Sequence, residues 1–316
     1  MKLITHSMIK SVVTQREAFT WVRDAFINKN NFMLPPKISI HYGNGVFFNT
    51  MPCVSTVECI AGVKIVSRHA ERRPILSSKI ILSDPISGDD LALLEGDYIT
   101  VLRTGAVAAL AVETLAVENY KRIGILGLGN TAYAAFDVLT TCKRNPLSPL
   151  EVRLLRYKDQ AEKFIERFNH LTNVEFIIVD SVEEIAERSQ VILSCVTETN
   201  TVFCDADKYP RGALIVPIHT KGFQNCDLVF DRIFADDTAH VSGFKHFETF
   251  SKKNYGELSD VLNGIIDGRT SDDERILSYN IGIALHDLYF AKRIYDRVKD
   301  DCVDFDLESP AEKIFY

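Results

Sequence analysis

The feature that most constrains the fold is an alternation that begins at Ile123. Residues 123–126 form a short apolar run, followed at once by Gly127-Leu128-Gly129-Asn130-Thr131-Ala132 and a helix-forming stretch to Cys142. The loop Asn145-Pro146-Leu147-Ser148-Pro149 ends that stretch. Strand-like runs at 152–155, 174–179, 191–195 and 213–218 then alternate with helical segments at 160–168 and 182–188. Strands alternating with helices predict a parallel α/β sheet. A glycine turn between the first strand and its helix has a specific use there. Gly127 allows the tight turn, Gly129 lets the backbone approach a pyrophosphate, and Ala132 is small enough for the helix to pack on the strand. The N–H groups at Asn130 and Thr131 and the helix dipole favour phosphate. The competing reading is a plain structural turn. The α/β units that follow favour a dinucleotide site.

The end of the second strand bears on which dinucleotide. An acid is usual there when the ribose 2′-hydroxyl is read. This chain has Leu155-Arg156-Tyr157-Lys158 instead. Arg156 and Lys158 suit a 2′-phosphate, so NADP(H) is expected over NAD(H). Two solvated surface cations are the plainer alternative.

The region before Ile123 reads differently. Residues 8–28 have helical spacing, with Val12, Phe19, Val22 and Phe26 on the expected buried stripe. Pro35-Pro36 ends any helix. Strand-like runs follow at 38–41, 46–48, 61–66 and 80–83, separated by turn signals such as Gly43-Asn44-Gly45 and Asp84-Pro85. They predict a mainly antiparallel sheet with flanking helices. An alanine-rich helix is expected over 103–117. From Ser271 a long helix is expected, with Ile276, Ile283, Leu285, Leu288 and Ile294 as its stripe, returning to the first domain. The predicted architecture is therefore α/β: a Rossmann-type parallel-sheet domain at 119–275, plus a discontinuous α+β substrate and dimerisation domain at 1–118 with 276–316.

Composition narrows the class of partner. The chain has 316 residues, 46% hydrophobic and 25% charged, as in ordinary globular proteins. A net charge of −7 without a basic block argues against nucleic acid or an anionic membrane. No apolar run reads as approaching the roughly 18 residues of a membrane span. The N-terminal residues lack the pattern of a signal peptide, so a cytoplasmic location is expected. The seven cysteines are scattered and form no CxxC pair, which disfavours a disulfide framework or structural zinc site. No metal-ligand set is evident.

Several further motifs carry a resemblance. Gly62-Val63-Lys64-Ile65-Val66-Ser67-Arg68-His69 looks like a strand with a functional lysine. Leu102-Arg103-Thr104-Gly105-Ala106 opens the alanine-rich helix. Gly256-Glu257-Leu258, Gly268-Arg269-Thr270-Ser271-Asp272-Asp273-Glu274 and Gly282-Ile283-Ala284-Leu285-His286-Asp287 follow the glycine turn. Jointly spaced over nearly the whole chain, these resemble the ornithine cyclodeaminase/μ-crystallin family. The resemblance implies a homodimer that acts on amino acids, keto acids or cyclic imines with a nicotinamide cofactor. It implies that Lys64 sits by the substrate carboxylate and the reacting carbon, that Arg103 binds the carboxylate, that Thr104 lies near the cofactor phosphates, and that Thr197 approaches the nicotinamide.

Two departures from the family pattern stand out. Members of known activity often carry an arginine just before a Met-Pro pair; here Asn49 takes that place ahead of Met51-Pro52, with Lys37 as a candidate replacement charge. The acidic loop after the fifth strand, whose aspartate transfers protons in the cyclodeaminases, is replaced by Pro217-Ile218-His219-Thr220-Lys221-Gly222. His219 is the expected proton carrier there, because an imidazole titrating near neutrality suits acid–base work. Lys221 is expected to bind a second carboxylate or the cofactor. The expected activity is NAD(P)-dependent oxidoreduction of a C–N bond next to a carboxylate: a ketimine reductase, an amino acid dehydrogenase or a synthase of N-substituted amino acids. The alternatives are ornithine cyclodeaminase and an NADP(H)-binding protein without turnover.

Overall fold

The computed structural model describes residues 1–196, 199 and 201–307. Its chain forms two compact units: Met1–Val13, Asn31–Thr100 and Ala284–Tyr316 in one, Thr14–Asn30 and Val101–Ile283 in the other.

Strand β1 (Lys2–Ile4) and helix α1 (His6–Val12) open the first unit. The single helix expected over 8–28 is in fact two, because Thr14 starts a new one, α2 (Gln15–Ile27). The Thr14 hydroxyl accepts the Glu17 N–H while the Glu17 carboxylate accepts the Thr14 N–H, a reciprocal cap that sets a firm helix start. Strands β2 (Ile38–Gly43), β3 (Val46–Ser55), β4 (Ile60–Arg68), β5 (Leu76–Ser83) and β6 (Asp90–Glu95) pair antiparallel in sequence order. The register puts Met51 opposite Lys64 and Lys64 opposite Ile80. Because side chains alternate across a strand, Met51, Cys53, Lys64, Ile80 and Leu82 share one face, and all are buried. The other face carries Ile38, Ile40 and Phe48, all exposed, with Val63, Ile65, Ile81 and Leu93 half-buried.

Helix α3 (Asp97–Leu115) is long and apolar enough by composition to cross a membrane. That corrects the expectation that no run comes close. Two-thirds of the stretch is buried inside the protein, and Gly105 lies directly against the backbone of Ala134 and Ala135. It is a core helix, and its small residues permit the close approach.

The second unit then follows the alternation read from the sequence: β7 (Arg122–Leu126), α4 (Asn130–Cys142), β8 (Leu150–Leu155), α5 (Gln160–Phe168), β9 (Val174–Val179), α6 (Val182–Arg188), β10 (Val191–Ser194) and β11 (Leu214–Pro217). Phe136 of α4 and Phe164 and Phe168 of α5 form one aromatic cluster over these strands. The sheet is extended by β12 (Arg232–Ala235), the short helices α7 (Thr238–Val241) and α8 (Phe247–Phe250), β13 (Tyr255–Glu257), α9 (Leu258–Leu262) and β14 (Ile276–Tyr279). Its order is β13-β12-β14-β11-β10-β7-β8-β9, with every pair parallel.

Strand β14 corrects the long helix expected from Ser271. Ile276, Leu277, Ser278 and Tyr279 are all buried and bond to strands on both sides. Burial on both faces selects a strand over a helical stripe. Gly282, at φ +88°, then turns the chain into α10 (Ala284–Val298), after which β15 (Val303–Asp304) pairs with β1. The units are also cut differently from the expected domains. Residues 14–30 and 101–118 cluster with the parallel sheet because α2 packs on α4 and Gly105 of α3 on α4. Helix α10 lies across β3, β4 and β5 and covers their buried face.

Candidate functional site

The strand order reverses between β7, which continues outward to β8 and β9, and β10, which continues to β11. Open α/β sheets bind ligands at the carboxyl ends of strands at such a switch point. The glycine turn is there. Gly127 has φ +78°, and a Cβ on it would come within 2.7 Å of the Val196 nitrogen, so glycine is required by both backbone and space. Gly129 is different: a Cβ there would meet nothing within 4 Å. It caps α4 without a side-chain hydrogen bond, so no side chain satisfies the helix's first N–H groups there. Ala132 is fully buried, whereas Asn130 is exposed and Thr131 half-buried. An open turn, a helix start with no side-chain cap and no Cβ in the way fit a dinucleotide pyrophosphate. Thr197 falls outside the described residues.

The cationic pair at the end of β8 is partly committed. Arg156 donates to Asp180 at 2.7 Å and to Glu162 at 3.1 Å. Lys158 lies over the Tyr157 ring at 5.2 Å. Both are exposed.

At the end of β11, the His219 ring Nε2 lies 2.7 Å from Ser194 Oγ, which is fully buried at the end of β10. Phe203 and Phe223 flank the imidazole. Burial pushes its pKa down to about 4. The expectation of an imidazole titrating near neutrality is therefore corrected: burial leaves the His219 ring neutral at pH 7. Lys221, two residues on, is exposed.

Arg103 is buried on α3, and Thr104 beside it is half-buried. The Arg103 guanidinium packs against Gly282, where a Cβ would come within 2.9 Å of Nη1. The Gly282 N–H donates to Asp236 Oδ2 at 2.7 Å, which anchors that loop. The neighbouring acid has a separate task. Asp237 pairs with the buried Lys29 at 2.7 Å and with the His240 ring at 2.8 Å, and Lys29 also pairs with Glu257. Burial alone would raise the Asp237 carboxyl; the hydrogen bonds from His240 and Lys29 overcome it and hold the group at about 2. Thus Asp236-Asp237 and Glu257, apart in sequence, meet in one network.

In the other unit, Lys64 is 1% exposed and its Nζ lies 2.8 Å from Asp287 Oδ1, itself 0% exposed. Asn49 stands on the same sheet face, one pleat along β3 from Met51, the residue opposite Lys64. Its Oδ1 is buried with no hydrogen-bond partner among the described residues. Lys37 is half-buried just ahead of β2. The sequence motifs include Asp287 but give it no role. The available signal was an acid among the apolar positions of the stripe that α10 buries.

These features can be set beside known proteins. The family model described as "Ornithine cyclodeaminase/mu-crystallin family" matches residues 1–301. A Delta(1)-pyrroline-2-carboxylate reductase of Bacillus cereus is 25% identical over 276 residues, covering 82% of this chain and 83% of that one. Among solved structures, the Thermococcus litoralis Delta(1)-pyrroline-2-carboxylate reductase in complex with NADH and L-proline superposes with a TM-score of 0.85 at 22% identity, over 96% of this chain and 100% of that one. An archaeal alanine dehydrogenase dimer with bound NAD gives 0.84 at 22% identity, over 97% and 99%.

Proposed function

Since the chain belongs to the ornithine cyclodeaminase/mu-crystallin family, we propose that it is a nicotinamide-dependent oxidoreductase that interconverts a C=N and a CH–N bond next to a carboxylate. The substrate class is a cyclic imine, or a keto acid condensing with an amine. The observation that carries the proposal is the open glycine turn at the β7–β10 switch point. The B. cereus relative, a pyrroline-2-carboxylate reductase by name, supports the substrate class.

Gly127, Gly129 and the first turn of α4 would hold the pyrophosphate, with Thr104 and Thr197 assigned to the cofactor. The cofactor, when bound, supplies or takes the hydride. Lys64 is assigned to the substrate carboxylate and reacting carbon as a cation, and Arg103 to the carboxylate as a planar, bidentate donor. Asn49 brings an amide whose oxygen has no partner among the described residues, suited to a substrate N–H. His219 is a neutral relay through Ser194. Lys37 and Lys221 are assigned to a second anionic group of the substrate. NADP(H) is favoured over NAD(H) through Lys158 and the guanidinium edge of Arg156 that its acids leave open.

The protein is proposed to work as a homodimer. The exposed sheet face of Ile38 (61% exposed), Ile40 (56%) and Phe48 is apolar and continuous with Val63, Ile65 and Ile81. Such a face marks an interface, and a second copy is its occupant; the dimeric archaeal alanine dehydrogenase supports this. Sedimentation should give twice the chain mass, and Ile40→Asp should give monomers. A wild-type monomer contradicts the dimer.

The functional test is a fluorescence titration with NADPH and NADH, followed by a panel of cyclic imines and of keto acids with amines. Tighter NADPH binding and oxidation by a member of the panel are expected. Tighter NADH binding contradicts the cofactor preference. Strong proline formation from ornithine would point to the cyclodeaminase activity, and binding with no turnover to a binding protein.

A further inference from the structure

A lysine and an aspartate, 223 residues apart, meet in a largely apolar layer. Around Lys64 stand Met51 and Cys53 on β3 and Ile80 and Leu82 on β5, all buried. Asp287 enters from above, in the first turn of α10. A buried ion pair of this kind is poor at adding stability, because desolvating both charges offsets their attraction. Apolar residues of the same volume would serve the core as well. The pair therefore calls for a reason other than packing.

The backbone around it is arranged to keep the contact short. Gly62, two residues before Lys64 on the same face, lies against the Ile81 carbonyl, and a Cβ on it would come within 2.7 Å of Leu288 Cδ1. Leu288 follows Asp287 directly. Glycine at 62 lets the start of α10 settle onto β4, at the distance where the carboxylate reaches the ammonium. The helix dipole also favours an anion at that end, on the same side of the layer as the Lys64 ammonium it meets. Among the described residues, Cys53 and the buried His286 beside Asp287 are titratable groups in the same layer. Burial, with a contribution from Asp287, pushes the Cys53 thiol up to about 12, so it stays uncharged.

We propose that Asp287 is the positioning residue for Lys64: it keeps the Lys64 amine a cation and fixes where its Nζ lies, so that the lysine meets substrate as a fixed positive charge and not as a free amine. This rests on the proposed role of Lys64 in C–N oxidoreduction. Asp287 acts through Lys64 and is not itself assigned to substrate.

The test uses the full-length protein with Asp287→Asn and Asp287→Glu. The first readout needs no substrate. In protein labelled at the lysine ε-carbon, the Lys64 NMR signal, assigned by its loss in Lys64→Arg, is followed against pH. Removing the carboxylate should move the Lys64 titration to lower pH by about one unit or more, and Asp287→Glu should return it toward the wild type. The second readout is kinetic. Asp287→Asn should lower kcat by about 10²-fold, with the NAD(P)H Kd unchanged, and the alkaline limb of kcat should move to lower pH. An unchanged Lys64 titration in Asp287→Asn overturns the proposal, as does an unchanged kcat in an enzyme whose wild type turns over. If wild type turns over nothing but the titration shifts, the pair stands and the assigned activity fails. If Asp287→Asn does not fold, Asp287→Ala decides by the same two readouts: a Lys64 titration moved to lower pH together with a lowered kcat supports the proposal, and both at wild-type values overturn it.

Discussion

At the mouth of the parallel sheet, the groups in position are mostly backbone. Gly127 turns, Gly129 leaves space, and α4 starts without a side-chain cap; the His219 imidazole is neutral. In the antiparallel unit the polar groups are side chains set into an apolar layer: Lys64, Asp287 and the Asn49 amide. The first arrangement suits a ligand with the same phosphates in every turnover, since a backbone cradle needs no charge of its own. The second suits a small group whose recognition depends on placing one charge.

Substitutions in the two regions should therefore fail in different ways. The largest effect is expected for Lys64→Met. It should reduce turnover by about 10²-fold or more with cofactor affinity kept, and cost about 3–5 kcal/mol of stability by leaving Asp287 buried without its cation. Lys64→Met combined with Asp287→Leu should recover much of the stability in a denaturant melt, and none of the turnover. Recovery of both would reduce the pair to a structural element.

Next come the two glycines of the turn. Gly127→Ala should cost about 1–2 kcal/mol for the left-handed backbone alone, with a further penalty from the Val196 backbone, and weaken NAD(P)H binding by more than about tenfold. Gly129→Ala should leave the melting curve of the free protein in place and weaken only cofactor binding. Equal loss of stability in both variants would contradict the assignment of space above Gly129 to a ligand.

Gly282→Ala should act on the carboxylate side. With φ +88° and Arg103 against it, the methyl group should displace the guanidinium and raise the KM for carboxylate substrates by about tenfold, or roughly 1.4 kcal/mol, while the cofactor Kd holds. A changed Kd with an unchanged KM would move Arg103 from substrate to cofactor.

The smallest effect concerns pH. The His219 imidazole is pushed below its ordinary value of 6.5 to about 4, so between those values the unfolded chain takes the proton and the native chain does not. The stability that His219 contributes is present above about pH 6.5 and is lost as pH falls toward 4. His219→Asn should remove that part of the pH dependence in thermal melts, and the kcat profile of the wild type should show no limb near 6.5 from this group.

The same contrast explains what could be read from the sequence. The alternation from β7 to β11 and the turn at Gly127 were legible because their causes are local: an apolar run, a glycine with a required conformation, a helix start. The Thr14 cap was equally local but went unread inside a longer apolar periodicity. Strand β14 was misread because an apolar run buried on both faces looks like part of a helix until its neighbours in the sheet are known. The resemblance picked out Lys64, but its partner depends on β4 and α10 packing together across 223 residues, and no spacing rule carries that. The depressed His219 likewise follows from Phe203, Phe223 and Ser194 closing around it, which an imidazole in a loop sequence does not announce.

The most direct test of the central claim is the absorbance of reduced nicotinamide, followed with wild type and Lys64→Met at equal cofactor occupancy, on adding Δ1-pyrroline-2-carboxylate and then the keto acid and amine panel. Oxidation by wild type on at least one substrate, largely lost in Lys64→Met while the cofactor remains bound, is the expected result. Bound cofactor with no oxidation by wild type across the panel, or equal oxidation by both proteins, would contradict it.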